Sequence, residues 1–261
     1  MAKKLGFVLG AGGARGIAHI GFLQAMEEKG IKPDYITGCS MGSVVGACYA
    51  SGMSPDKMKA VATSLKLNHI FDLSANIWGN GALLRANKMY EKIKECVGNV
   101  TFNELKIPFK CVATDLISGE LVVFGGDREV AKCVAASSSI PGVFRPTEID
   151  GMRLVDGAIK CRVPIEQIRE MGAETVVVVD VLGHVRPTKK KLNVLTVLLR
   201  SFDIMDSDIA RGIKNEQKPD LIIEPELEEM SQYKFKDIEF AYNVGYETGL
   251  ENASKIKKLI K

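Results

Sequence analysis

The sequence has no long hydrophobic run and no large excess of either charge. No apolar stretch approaches the ~18 residues that a membrane-spanning helix needs, so we expect no transmembrane segment. The 35 basic and 32 acidic residues leave a net charge of +3, which is too small to indicate binding to nucleic acid. With 261 residues, 46% of them hydrophobic, the chain is long enough to form one large domain over residues 1–261 with an ample core.

The cysteines show none of the paired spacing that zinc sites and disulfide frameworks use. They are Cys39, Cys48, Cys96, Cys111, Cys133 and Cys161. Several lie within apolar runs, as reduced buried thiols do, so we expect neither a structural disulfide nor a zinc site. The chain passes from Lys4 directly into a predicted strand, which leaves no room for a signal peptide. We therefore expect a cytoplasmic protein that needs no metal or other cofactor.

Two lysine clusters stand out among otherwise scattered basic residues. They are Lys189-Lys190-Lys191 and the C-terminal set Lys255, Lys257, Lys258 and Lys261. Such clusters are usually solvated faces, and the alternative is peripheral contact with anionic lipid headgroups.

Helices and strands are predicted to alternate along the chain. Predicted strands cover 5–9, 34–37, 108–113, 120–124, 175–181 and 220–224. Predicted helices cover 14–29, 43–50, a segment that begins at 54–56, a segment that ends at Gly98, and then 128–139, 192–214 and 237–259. The 175–181 strand is apolar along nearly its whole length, as is typical of a strand buried on both faces. This alternation predicts a three-layer α/β/α domain.

A Gly-x-Ser-x-Gly pattern at residues 38–42 centres on Ser40. An extended segment precedes it and a helix of small residues follows, which is the setting of a nucleophile elbow. Gly38 and Gly42 are needed there because larger side chains would clash where the chain reverses. The alternative is a glycine-rich turn that only packs a helix tightly against the sheet.

The glycine-rich loop 10–16 follows the first strand and opens a helix. Its backbone N–H groups are candidates to stabilise the oxyanion that a serine nucleophile generates, helped by the helix N-terminus. Parallel neighbouring strands would bring this loop and Ser40 to the same sheet edge. A dinucleotide-binding loop is the alternative, but the third glycine of that pattern is Arg15 here, and no acidic residue clearly ends the second strand.

The general base is harder to identify, because the chain has only three histidines. His19 lies within the first predicted helix and His69 in an apolar loop, and we interpret them as a packing residue and a loop residue. His184 follows a strand, where a triad histidine could lie, but no motif surrounds it. Asp156 is the better candidate, at the point where a strand enters a tight turn, although an isolated Asp-Gly is most often only a turn.

Taken in order, the segments 10–16, 38–42 and 156–158 resemble the motifs of the patatin-like phospholipases. Further similarity to bacterial members lies in 15–21, 113–116, 136–144 and 154–157, so that the resemblance covers roughly residues 5–185. It implies a mostly parallel central sheet and a Ser-Asp dyad, with Ser40 as nucleophile and Asp156 as general base. It also implies an oxyanion hole from Gly10, Gly12, Gly13 and Arg15, with Gly38, Gly42, Gly157 and Ala158 as the remaining motif residues. No catalytic histidine is then required.

One segment departs from the family pattern. Family members usually carry asparagine shortly before a Val/Leu-Pro pair, whereas this chain has Lys160-Cys161-Arg162 ahead of Val163-Pro164. We expect the difference to leave the dyad intact and to change the mouth of the substrate site.

The resemblance implies a serine acyl hydrolase whose substrates are lysophospholipids, phospholipids or related acyl esters. The alternatives are a thioesterase or small-ester hydrolase with the same dyad, and a non-catalytic module that binds lipid or a protein partner. Residues 66–85 are apolar, as a lid or acyl-binding wall would be, and ordinary core is an equal alternative. The helix that contains Val194 to Phe202 has the composition of an interfacial helix, although a core-packing helix is the commoner case.

Overall fold

The computed structural model describes residues 3–64, 86–185, 193–227 and 230–261. The predictions for 66–85, for His69 and for Lys189-Lys190-Lys191 lie outside these ranges. The strands are β1 (Leu5–Leu9), β2 (Tyr35–Cys39), β3 (Phe109–Asp115), β4 (Leu121–Phe124), β5 (Thr147–Ile149), β6 (Met152–Asp156), β7 (Thr175–Val179) and β8 (Leu221–Ile223). The α-helices are α1 (Ala18–Glu28), α2 (Met41–Ser51), α3 (Pro55–Ser64), α4 (Asn87–Val97), α5 (Val130–Ser137), α6 (Ile165–Glu170), α7 (Val194–Gln217) and α8 (Ile238–Leu259).

The strands form one mixed sheet with helices on both faces. Its order is β5-β6-β3-β2-β1-β7-β8, and β4 also pairs with β3. Strands β3, β2, β1, β7 and β8 run parallel to one another. Strands β4 and β6 each pair antiparallel with β3, and β5 pairs antiparallel with β6. The predicted three-layer α/β/α fold with a mostly parallel sheet is confirmed.

The two central strands β1 and β7 separate two apolar cores. Phe7 and Val177 face the larger core, which α1, α2 and α8 complete, whereas Val8 and Val178 face the smaller core beneath α6 and α7. All five residues of each strand are buried. This double burial explains why both strands read as apolar runs rather than as alternating patterns.

One edge of β3 is shared by two strands that meet end to end. β2 pairs with β3 up to Cys39, which lies opposite Val112, and β6 pairs with the continuation of β3 through Asp156, which lies opposite Ala113. β4 occupies the opposite edge, because the same residues of β3 pair with it as well. The register of the sheet therefore places Asp156 directly beyond the end of β2.

The structure differs from the sequence prediction in the elements around this meeting point. β2 continues two residues beyond the predicted end at residue 37, and the predicted helix 14–29 begins with a 3₁₀ turn over Gly13–Ile17 before α1. A strand that enters the turn at Asp156 was predicted, as β6 now shows, but β5, the β5–β6 hairpin and α6 were not. A signal for the hairpin is present, since its two-residue turn is Asp150-Gly151 with φ of 50° and 78°, and Asp-Gly is a preferred hairpin dipeptide.

Long helices α1 and α8 pack with their backbones almost in contact. A Cβ added at Gly21 would collide with the carbonyl oxygen of Tyr242, and one added at Gly245 would collide with the carbonyl oxygen of Ala18. Glycine is required at these crossings because a backbone atom, unlike a side-chain end, cannot move aside at small cost. Among the described residues, no helix is both long enough and apolar enough to span a bilayer.

We predict that Gly245→Ala lowers the free energy of unfolding by about 1–3 kcal/mol, because overpacking against the α1 backbone forces the helices apart. Gly212→Ala is the matched control. Gly212 also lies within a helix, α7, but nothing lies within 4 Å of the added methyl group, so the higher helix propensity of alanine should stabilise the protein by up to about 1 kcal/mol. Urea unfolding of both variants measures the difference, and equal effects at the two positions would contradict the prediction.

Candidate active site

Ser40 sits on a strained turn between β2 and α2. Its φ and ψ are 51° and −126°, a combination that is sparsely populated for a residue with a side chain and that persists only when surrounding contacts enforce it. Here the Ser40 N–H donates to Ser137 Oγ at 3.1 Å, and Ser43 Oγ donates to the Ser40 carbonyl oxygen at 2.7 Å. Such a turn lifts a serine hydroxyl off the end of a sheet, as the predicted nucleophile elbow requires.

Both flanking glycines of the elbow are dictated by close backbone contacts. A Cβ at Gly38 would lie 2.6 Å from the carbonyl oxygen of Gly42. One at Gly42 would collide with the carbonyl oxygens of Leu9 and Gly10. Gly42 thus lets α2 begin directly against the end of β1, which brings the glycine loop close to Ser40.

Asp156 is buried beside the elbow at the end of β6, with 5% of its surface exposed. Its Oδ1 accepts a hydrogen bond of 2.9 Å from the Ala158 N–H and a weak one of 3.7 Å from the Cys39 thiol. Burial raises the pKa of Asp156 to about 6, although the Ser40 hydroxyl, the Ala158 N–H and the Cys39 thiol each oppose this rise. Gly157 follows without a side chain because a Cβ would collide with the carbonyl oxygen of Val112.

Several N–H groups of the glycine loop donate to partners within the protein. The Gly10 N–H donates to the Val179 carbonyl oxygen and the Arg15 N–H to the Gly12 carbonyl oxygen, each at 3.0 Å. The Ala11 N–H donates to the carbonyl oxygen of Arg162, also at 3.0 Å. Gly10 therefore ties the loop to β7 and Arg15 closes a turn within it, and their N–H groups are not available to an oxyanion.

The N–H groups of Gly12 and Gly13 have no acceptor among the described residues, and both residues line the same cavity as Ser40. A side chain fits at neither position. A Cβ at Gly12 would collide with Val181, and one at Gly13, which has φ of 51°, would collide with the carbonyl oxygen of Gln232. Of the four loop residues predicted from the sequence, these two are placed to donate to a negative charge that develops near Ser40.

Neither described histidine is placed to act as a base for Ser40. His19 is fully buried on α1, where its Nε2 lies 2.8 Å from the carbonyl oxygen of Gly10. Burial lowers the pKa of His19 to about 4, so the neutral ring donates this bond and fixes the start of the glycine loop. His184 is exposed and lines neither of the cavities at Ser40. The interpretation of His19 as a packing residue agrees with these contacts.

Two apolar cavities meet at Ser40. The α2–α4 cavity, of about 260 Å³, runs between helices α2, α3 and α4, and the α7 cavity, of about 200 Å³, opens beneath α7. Representative lining residues of the first are Val44, Cys48, Met58, Ala62, Met89 and Ile93. Those of the second include Ile159, Leu182, Leu199, Phe202, Met205 and Ile209, together with Asp156 and Asp206. The arrangement offers an apolar space on each side of Ser40.

Arg162, in the segment that departs from the family pattern, is buried in an ionic network. Its guanidinium donates to Asp180 at 2.9 Å, to Asp206 on α7 at 2.8 Å and to the carbonyl oxygen of Gly183 at 2.7 Å. Burial alone would raise the pKa of Asp180, but the charges of Arg162 and Lys214 hold it below its ordinary value. Arg162 therefore fastens α7, one wall of the cavity, to the end of β7. The sequence indicated a difference at this position without indicating its partners.

The chain is similar in sequence to several known proteins. The family model described as patatin-like phospholipase matches residues 7–168. An uncharacterized NTE family protein of Mycobacterium tuberculosis is 39% identical over 183 residues, which are 70% of this chain and 50% of that protein. Lysophospholipase NTE1 of Saccharomyces cerevisiae is 30% identical over 184 residues, 69% of this chain and 11% of that protein. The chain thus spans about half the length of its mycobacterial relatives.

Solved structures share the fold at low sequence identity. VipD from Legionella pneumophila has a TM-score of 0.59 and 16% identity, covering 97% of this chain and 67% of its own. ExoU from Pseudomonas aeruginosa, in complex with SpcU, has a TM-score of 0.52 and 15% identity, covering 100% of this chain and 53% of its own. At this identity the likeness concerns the fold alone.

We predict that Asp156→Asn stabilises the protein at pH 8 by about 1–3 kcal/mol. The folded pKa of about 6 exceeds the ordinary value of 3.8, so the ionised carboxylate lowers stability above pH 6, and this penalty fades as the pH falls toward 4. The gain should therefore shrink along that range. Thermal midpoints across pH 4.5–8 measure it, with the exposed Asp127→Asn as control. A gain that is independent of pH would contradict the prediction.

Proposed function

The chain belongs to the patatin-like phospholipase family, and we propose that it is a serine acyl hydrolase that cleaves the carboxylic ester bonds of acyl lipids. The observation that carries the proposal is the position of Ser40. This residue lies on a strained turn where two apolar cavities meet, with a desolvated carboxylate beside it. A module that only bound lipid would have no need for a serine held at φ of 51°.

In the proposed mechanism, Ser40 Oγ attacks the ester carbonyl carbon while Asp156 accepts the hydroxyl proton. The N–H groups of Gly12 and Gly13 stabilise the oxyanion, and the N-terminus of α2 adds a favourable partial charge. Asp156 then returns the proton to the departing alcohol, leaving an acyl group on Ser40. A water molecule, deprotonated by the same carboxylate, then attacks the acyl carbon; the bond to Ser40 Oγ breaks, Asp156 returns the proton to Ser40 Oγ, and the fatty acid leaves.

The shape of the site supports lipids as the substrate class. We assign the acyl chain to the α2–α4 cavity, because its wall is formed by aliphatic and methionine side chains from three helices. The alcohol part then lies toward the α7 cavity, where the carboxylates Asp156 and Asp206 are found. Phospholipids and lysophospholipids carry the long acyl chain that the α2–α4 cavity would accommodate.

We also propose peripheral contact between α7 and a lipid surface. The helix exposes large apolar side chains: Val194, Val197, Leu198, Phe202, Ile204, Met205 and Ile209. Phe202, Met205 and Ile209 also line the α7 cavity, so the exposed face is continuous with the site. A lipid could pass along this face without its chain entering water.

We predict that Ser40→Ala abolishes ester hydrolysis and labelling by a fluorophosphonate probe, since alanine lacks the attacking oxygen. Ser51→Ala is the control: it removes a hydroxyl at the C-terminal end of α2, which donates to the Cys48 carbonyl oxygen, and leaves the Ser40 turn unchanged, so labelling should persist. Turnover of a lysophospholipid and the thermal midpoint are measured together. More than a few per cent residual turnover in Ser40→Ala, in a preparation free of other esterases, would contradict the nucleophile assignment.

We predict that activity falls below pH 6, because Asp156 must be ionised to accept the proton and its pKa is about 6. Asp156→Asn should lower kcat by about 10²–10⁴. Asp206→Asn identifies the titrating group, since burial also raises the pKa of Asp206 to about 6. The loss of activity below pH 6 should persist in Asp206→Asn. If it disappears in this variant, Asp206 rather than Asp156 is the group whose titration limits the rate.

A further inference from the structure

A short segment, Met230–Tyr233, lies against the glycine loop, and we call it the strap. The Ala14 N–H donates to the carbonyl oxygen of Gln232 at 2.8 Å, and Arg15 Nε donates to the carbonyl oxygen of Met230 at 2.8 Å. The Gln232 carbonyl also fills the space that a side chain at Gly13 would need. The strap therefore contacts three consecutive residues of the loop, including one of the two candidate oxyanion donors.

The strap is fastened on its other side to one carboxylate of α7. Asp203 Oδ1 accepts a hydrogen bond of 2.7 Å from Gln232 Nε2 and one of 2.6 Å from Tyr233 Oη. Burial raises the pKa of Asp203, whereas the hydrogen bonds from Tyr233 and Gln232 and the charges of Arg200 and Arg15 oppose this rise. Both strap residues and Gly13 also line the two cavities that meet at Ser40.

We propose that Asp203 is a positioning residue for the oxyanion hole: it fixes the strap, and the strap fixes the N–H groups of Gly12 and Gly13. The inference rests on the proposed acyl hydrolase function and adds a residue to its machinery. Asp203 lines the α7 cavity but takes no part in the proton transfers of this mechanism. Its hydrogen bonds go to Gln232 and Tyr233, and its charge also acts on Arg15 of the loop.

Two physical arguments support this role. Short hydrogen bonds to a carboxylate are stronger than those between neutral groups, so two of them on one oxygen hold Gln232 and Tyr233 firmly. Backbone N–H donors stabilise an oxyanion only within a narrow range of distance, and a displacement of about 1 Å can cost about 10²-fold in rate. The loop has no side chain at Gly12 or Gly13 with which to fix itself, so its position depends on its neighbours.

The test compares Asp203→Ala and Tyr233→Phe with the wild type on a lysophospholipid. We expect Asp203→Ala to lower kcat by about 10²-fold and Tyr233→Phe by about tenfold, with KM changed less than threefold. A trifluoromethyl ketone with the same acyl chain forms an anionic adduct at the oxyanion site, and its affinity should fall in parallel with kcat. Asp203→Asn keeps an acceptor oxygen for both donors and should restore most of the activity.

A matched control removes the same kind of contact away from the site. Tyr246 Oη on α8 donates to Glu28 Oε2 at 2.6 Å, so Tyr246→Phe should leave kcat and ketone affinity unchanged. The double variant Asp203→Ala with Tyr233→Phe should be no worse than Asp203→Ala alone, since both changes break one linkage.

The inference is overturned if Asp203→Ala and Tyr233→Phe reduce the thermal midpoint but keep wild-type kcat and ketone affinity, because the strap would then only stabilise the fold. If Asp203→Ala does not fold, Tyr233→Phe alone decides between these outcomes. Failure of the proposed function has a different signature, since the wild type itself would neither hydrolyse the lipid nor bind the ketone.

Discussion

The pairing along one edge of β3 is the constraint on which the candidate site depends. Because β2 ends opposite Val112 and β6 ends opposite Ala113, main-chain hydrogen bonds of a single strand fix the separation between Ser40 and Asp156. Neither residue relies on a mobile loop for its place. Sites built on regular elements hold their geometry more closely than sites built on loops, and here the two elements share their partner strand.

The electrostatics around Asp156 suit a carboxylate base. A cation close to this carboxylate would lower its pKa and weaken it as a proton acceptor. The guanidinium of Arg162 is instead bonded to Asp180 and Asp206, and among the described residues no cation contributes to the pKa of Asp156. The buried network thus anchors α7 with a charged residue while leaving Asp156 desolvated and only weakly acidic.

The sequence was informative where function depends on local backbone geometry. The elbow around Ser40, the glycine loop and the turn after Asp156 each place their critical residues within seven positions, and the apolar run of β7 indicated a doubly buried strand. The partners of Arg162 and Asp203 could not be predicted in the same way. Asp206 lies 44 residues from Arg162, and Tyr233 lies 30 residues from Asp203. Only the folded topology brings each pair together, so the spacing of residues along the sequence could not predict the contact.

For the glycine loop, the resemblance implied which residues belong to the motif, and the structure shows which of their N–H groups already have acceptors. The family pattern implied four residues of an oxyanion hole, but a backbone N–H can serve an oxyanion only if no other acceptor already holds it. Hydrogen bonds of 3.0 Å hold the N–H groups of Gly10 and Arg15, whereas those of Gly12 and Gly13 have no acceptor among the described residues. The motif therefore contains two kinds of residue, those whose N–H groups build the loop and those whose N–H groups are left without an acceptor beside Ser40. Their roles follow from hydrogen bonds to strand β7 and within the loop, which lie beyond what the spacing of glycines can encode.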